Sequence, residues 1–255
     1  LESLFLDEAP GAAFDGYLLT VCRLYDQGVA GQAGDLALDV QPAVNLGLAG
    51  AGSSTRGLCL TQATSALATP TLASSPLAYK RLLQLGEQYD LQVEYRPMLL
   101  GGVFKATENM SPVAVPAKGK YMLEQDLPRF ARRYGVALAF NPYFPINTLH
   151  LMRAAIGAQQ LGCFDEYVAT VYDAVWVQQK NMGDTEVVAE VLAAAGLDAP
   201  ALMAKSQEPE IKAALIANTE EAVERGAFGA PTMFMDGEMF FGQDRLDFVE
   251  ESLRG

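Results

Sequence analysis

The stretch "RGAFGAPTMFMDGEMFFGQDRLDFVEESL", Arg225 to Leu253, sets Pro231 directly before a run of strand formers and ends that run with Gly242 and a polar cluster that opens a helix. A proline there cannot donate to a strand ladder, and its tertiary amide makes a cis bond accessible at about 0.5–1 kcal/mol. With a cis Ala230-Pro231 bond, the Ala230 backbone turns toward a cleft, where its N–H and C=O can pair with an extended, peptide-like ligand as an added strand would. An ordinary trans proline closing a loop is the competing reading. Gln243 and Asp244, taken alone, cap the helix that follows.

Other chemistry finds little support. Cys22, Cys59 and Cys163 lie far apart, form no C-x-x-C pair and are odd in number, against both a disulfide framework and a dithiol redox centre. His150, the only histidine, sits in the apolar string "NTLHLMRAAIG" and reads as a helix residue without a catalytic role. A formal net charge of -13 leaves no broad basic surface, so neither nucleic acid nor anionic membrane is expected as a partner. There is no run of about 18 apolar residues and no secretory-signal order at the amino terminus, so a soluble, cytoplasmic protein is expected.

The elements that position these residues follow from punctuation. In "SPLAYKRLLQLGEQYD", Ser75 reads as an N-cap, Pro76 as the first helical residue, and Leu77, Leu82 and Leu85 as an inward face. "LQVEYRPML" alternates as a strand until Pro97, and "GGVFKATENMSPVAVPAKGK" reads as a long loop of the kind that is often functional. Helical segments with glycine stops fill the chain to Gly226. "TMFM" and "EMFF" around Asp236-Gly237 form a hairpin, because the tight turn needs positive φ, and "QDRLDFVEESL" is a helix. The order of helix, strand, helical block, hairpin and helix implies an α/β domain interrupted by an all-helical insertion. Upstream, "FDGYLLTVCRLYDQ" is helix-like, and Gly28 to about Leu72 is charge-poor and linker-like. The chain opens on Leu1, as a fragment or trimmed product would.

"RPMLLGGVFKATEN", "VPAKGKYM", "NPYFPINTL" and "ERGAFGAPTMFMDGEMFFGQDRLDFVEESL" together resemble, in order, the 2-hydroxychromene-2-carboxylate isomerase and kappa-class glutathione transferase family. The resemblance implies a DsbA-like thioredoxin fold, with residues 72–112 and 226–255 in the thioredoxin-like domain and 113–225 in the helical insertion. It implies a glutathione site in which Ala230, before the cis-proline Pro231, pairs with the cysteinyl backbone, while Phe241, Gly242, Gln243 and Asp244 hold the γ-glutamyl end. Ser75 is the expected catalytic hydroxyl, stabilising the thiolate at a helix start, and Lys105, Asn109 and Tyr143 are expected to face a small aromatic or conjugated carboxylate. The family also implies a homodimer, with no metal. The expected activity is glutathione-dependent isomerisation; a kappa-like transferase or peroxidase, or a non-catalytic glutathione-binding remnant, are the alternatives.

The chain departs from the family before Leu77. The family's aromatic-Asp-aromatic strand is absent from "LATPTLASSPLAYKRLL"; aligning Ser75-Pro76 leaves about three residues missing, and an ungapped alignment sets Leu72 in the serine's place. Residues 1–71 are therefore expected to be an atypical, non-native or disordered extension, from a displaced reading frame, a fusion or a wrong start. The central sheet then lacks its first member unless "GLCLTQAT" substitutes. The gene's other two frames test the displaced-frame idea, which fails if neither encodes an F-D-F-x-S-P equivalent.

Overall fold

The computed structural model describes residues 18–20, 57–64, 74–110, 115–144 and 146–254. What the sequence suggested for the rest, including Leu72, lies outside the described residues, but 57–64, within the stretch read as linker-like, is a strand because it finds pairing partners distant in sequence.

The sheet is built around β2 (Gly57–Thr64), the stretch "GLCLTQAT". β3 (Gln92–Tyr95) pairs with it in parallel, and β4 (Thr232–Met235) pairs antiparallel on the other side. β5 (Glu238–Phe241) closes the far edge as the second arm of the hairpin, and β1 (Leu18–Thr20) pairs antiparallel with the last residues of β2. The sheet thus draws strands from before residue 72. Leu18–Thr20 falls in a piece expected as helix; three residues of Leu-Leu-Thr suit a ladder once β2 offers one.

The hairpin forms as the sequence demands. Asp236 and Gly237 have φ of 50° and 85°, the pair of positive values that a two-residue turn matched to strand twist requires. β4 is buried along its whole length instead of alternating, because it lies between β2 and β5.

The Ser75–Tyr89 helix returns the chain from the end of β2 to the start of β3, as a parallel pair requires. Its inward Leu77, Leu82 and Leu85 are fully covered, each contributing about 1.5–3 kcal/mol of burial. The helix starts one residue earlier in the chain than expected. Ser74 is the N-cap, and Ser75 and Pro76 occupy the first turn, where the missing proline N–H has no intrahelical partner to lose.

The insertion comprises helices Pro116–Tyr121, Leu127–Tyr134, Leu149–Leu161, Phe164–Trp176, Thr185–Ala194, Ala199–Ser206 and Pro209–Glu224. Asp184 and Asp198 cap two of them by accepting from the Glu186 and Ala201 N–H groups. Its core includes Tyr167 and Trp176, both buried, with the Tyr167 hydroxyl donating to the Leu151 carbonyl at 2.8 Å. Part of the expected long loop is also helical, at Leu100–Ala106. Packing overrides the poor propensity of Gly101-Gly102: a Cβ on Gly102 would lie 3.1 Å from Thr219 Cγ2, so glycine lets this helix approach the Pro209–Glu224 helix. The Leu99 N–H donates to Thr219 Oγ1 at 2.9 Å and Asn218 Nδ2 to the Pro97 carbonyl at 2.9 Å, tying the insertion to the end of β3. Among the described residues no helix is long and apolar enough to cross a membrane.

Candidate functional site

Strand register gathers the expected site residues. Thr61 of β2 faces Thr232 of β4, and Thr232 faces Phe241 of β5, so the loop before β4 and the turn after β5 share one end of the sheet. That end is also the carboxyl end of β2, and the Ser75–Tyr89 helix packs against both β2 and the 3-10 turn Gln243–Arg245. The Ala230-Pro231 bond is cis. The Gly242 N–H donates to the Pro231 carbonyl at 2.8 Å, joining the two halves of the site directly.

Close packing fixes the loop. The Phe228 and Phe241 rings lie 4.6 Å apart, and a Cβ on Gly229 would come within 2.7 Å of the Phe241 ring. Thr232 Oγ1 donates to the Gly229 carbonyl at 2.8 Å, and Asn109 Nδ2 donates to the Phe228 carbonyl at 2.7 Å. Asn109 Oδ1 accepts from the Met110 N–H at 2.8 Å, so its amide anchors the loop from the end of the segment after the Leu100–Ala106 helix. Gly242 has φ of 105°, and a Cβ there would lie 2.5 Å from Asp244 Oδ1; only glycine suits the position.

Beyond Gly242 the turn is polar. Gln243 is buried, while Asp244 pairs with Arg245 at 2.6 Å on the surface, an exposed contact worth about 0–1 kcal/mol. Tyr134 donates to the Gln243 carbonyl at 3.3 Å, and Arg133 pairs with Asp247 at 2.8 Å. Burial, with Asp247 beside it, pushes the Tyr134 hydroxyl up to about 12. Ser75 is completely buried, and its Oγ has no hydrogen-bond partner among the described residues. An orphaned hydroxyl in the first turn of a helix is a donor with nothing to donate to.

Two expected substrate contacts are exposed to solvent. Lys105 is exposed in the last turn of its helix, with no hydrogen bond or ion pair among the described residues. Tyr143 is 56% exposed in the insertion, its N–H held by Asn141 Oδ1 at 2.9 Å. His150 contacts the Met182 carbonyl at 3.0 Å, and burial lowers its pKa. Two grooves of about 550 and 690 Å³ lie within the insertion and along β3, and share no residue with the gathered site. Sequence reasoning missed Tyr134 and the roles of Phe228 and Gly229; the last two lie in the "GAFGAP" motif, but Tyr134 carries no local signal.

A family model described as a DSBA-like thioredoxin domain matches residues 75–254. The chain is 32% identical over 184 residues to a 2-hydroxychromene-2-carboxylate isomerase from Sphingobium xenophagum, covering 70% of this chain and 91% of the relative. The chain belongs to the DsbA-like family, in the branch of 2-hydroxychromene-2-carboxylate isomerases and kappa-class glutathione transferases. Glutathione S-transferase kappa 1 from Rattus norvegicus is 25% identical over 187 residues, covering 68% of this chain and 82% of the relative. Among solved structures, a 2-hydroxychromene-2-carboxylate isomerase superposes with a TM-score of 0.65 at 26% identity, covering 78% of this chain and 93% of that one. The expected fold, thioredoxin-like with a helical insertion, is therefore correct.

Proposed function

We propose that the protein is a glutathione-dependent isomerase of the 2-hydroxychromene-2-carboxylate type. The observation that carries this reading is the Thr61, Thr232, Phe241 register together with the Gly242 to Pro231 hydrogen bond, which unites the Ala230 loop and the Phe241–Asp244 turn. In this reading the Ala230 backbone pairs with the cysteinyl unit of glutathione, and Phe241, Gly242, Gln243 and Asp244 hold its γ-glutamyl end. Asp244 accepts from the α-ammonium, exchanging a screened Arg245 partner for a ligand charge. Ser75 donates its otherwise orphaned hydroxyl to the sulfur and so favours the thiolate. Lys105 orients the substrate carboxylate, Tyr143 offers an exposed ring to the organic part, and Asn109 holds the loop wall through Phe228. Bound glutathione supplies a thiolate nucleophile for a conjugated carbon, so that the former double bond can rotate before elimination returns the thiol.

Relatives named as isomerases reach 30–32% identity and those named kappa-class transferases 25–30%, so the two ranges meet and the chemistry must be separated by experiment. Product analysis with a 2-hydroxychromene-2-carboxylate tests it. Isomer formed with glutathione conserved is the expected outcome; stoichiometric loss of glutathione points to a transferase, and binding without turnover to a non-catalytic protein.

A further inference from the structure

We propose that the Leu127–Tyr134 helix acts as a clamp that sets the glutathione-binding turn, with Tyr134 as the positioning residue for Gln243 and Asp244 and Arg133 holding the start of the helix that follows through Asp247. This rests on the glutathione reading above. The turn itself is short: Gln243–Arg245 is a single 3-10 turn, closed by the Arg245 N–H to the Gly242 carbonyl at 3.1 Å. So short a 3-10 piece has little stability of its own. Tyr134 holds it from outside at the Gln243 carbonyl, and the neighbouring Arg133 holds the first turn of the Leu246–Arg254 helix that follows, through both Asp247 oxygens at 2.8 and 3.1 Å.

Peptide planarity gives the first contact a direction. The Gln243 carbonyl and the Asp244 N–H belong to one planar trans unit and point to opposite sides. A hydroxyl that fixes the carbonyl therefore aims the Asp244 N–H away from Tyr134. Tyr134 can hold that aim because it is only 5% exposed, with its ring 5.7 Å from that of Phe130 and the Arg133 guanidinium 5.8 Å away on the other contact. Its raised pKa keeps it a protonated donor throughout the neutral range. The Ser75–Tyr89 helix packs against both the Leu127–Tyr134 helix and the same turn, so the clamp and the proposed thiolate donor share a support.

Tyr134→Phe, which keeps the ring and removes the hydroxyl, tests this on the full chain. Calorimetry with glutathione is expected to show about three- to tenfold weaker binding, the loss of one hydrogen bond. Cysteinylglycine, which lacks the γ-glutamyl end, is expected to bind both proteins equally in an NMR titration, and amide exchange at Asp244 and Arg245 is expected to quicken. Unchanged glutathione affinity, or an equal loss for cysteinylglycine, would overturn the clamp while leaving the glutathione site standing. A parent chain that fails to bind glutathione would overturn the site and, with it, the clamp's ligand-positioning role.

Discussion

A hydroxyl enclosed without a partner costs about 1–3 kcal/mol, and among the described residues Ser75 Oγ has none. Ser75→Ala is therefore expected to keep or raise the melting temperature while lowering turnover. If the hydroxyl depresses the thiol pKa by about two units, the loss at pH 7 is about 20-fold. It shrinks as pH rises toward 9, where a free thiol ionises unaided, and a pH–rate profile of both proteins checks this. Other residues divide by how far their partners lie. Asp236-Gly237 is legible in the sequence because its φ demand is local. Asn109 is not: its amide is committed to the Phe228 carbonyl, 119 residues away, and no local pattern announces that bond.

At the scale of elements, the hairpin, the Ser75–Tyr89 helix and the terminal helix follow from punctuation and periodicity. The Leu100–Ala106 helix does not, because Gly102 gains its place from the Thr219 contact. Gly229→Ala drives a Cβ toward the Phe241 ring, and is expected to destabilise by about 1–3 kcal/mol and to weaken glutathione binding, read by denaturant titration and calorimetry. The Leu246–Arg254 helix docks on Ser75–Tyr89 through Glu250, which accepts from Arg81 at 2.5 Å, Tyr89 at 3.0 Å and Arg254 at 2.8 Å. Burial raises the Glu250 pKa, but these donors and charges outweigh it and hold the carboxyl below its ordinary value. A depressed carboxylate contributes stability above its unfolded pKa of about 4.3, lost as pH falls through the folded value. Glu250→Gln is expected to cost about 1–2 kcal/mol at pH 7, after discounting for solvent screening, and less as the pH drops below about 4.

Across the whole molecule, the insertion and the sheet are joined by Leu99 to Thr219, Asn218 to Pro97 and Tyr134 to Gln243. One cooperative transition is therefore expected, with fluorescence of Trp176, the only tryptophan and buried in the insertion, coinciding with far-UV circular dichroism. Two separated transitions would show that these joins are weak. The α/β plan was legible because its strands and helices each carry local signals, whereas the central position of β2 depends on pairing with strands distant in sequence. The most direct test is calorimetric titration of the purified chain with glutathione, beside Asp244→Ala. Saturable binding that the substitution weakens about tenfold or more is the expected result. Absence of binding in the parent chain, or equal binding by both proteins, would contradict the proposed site.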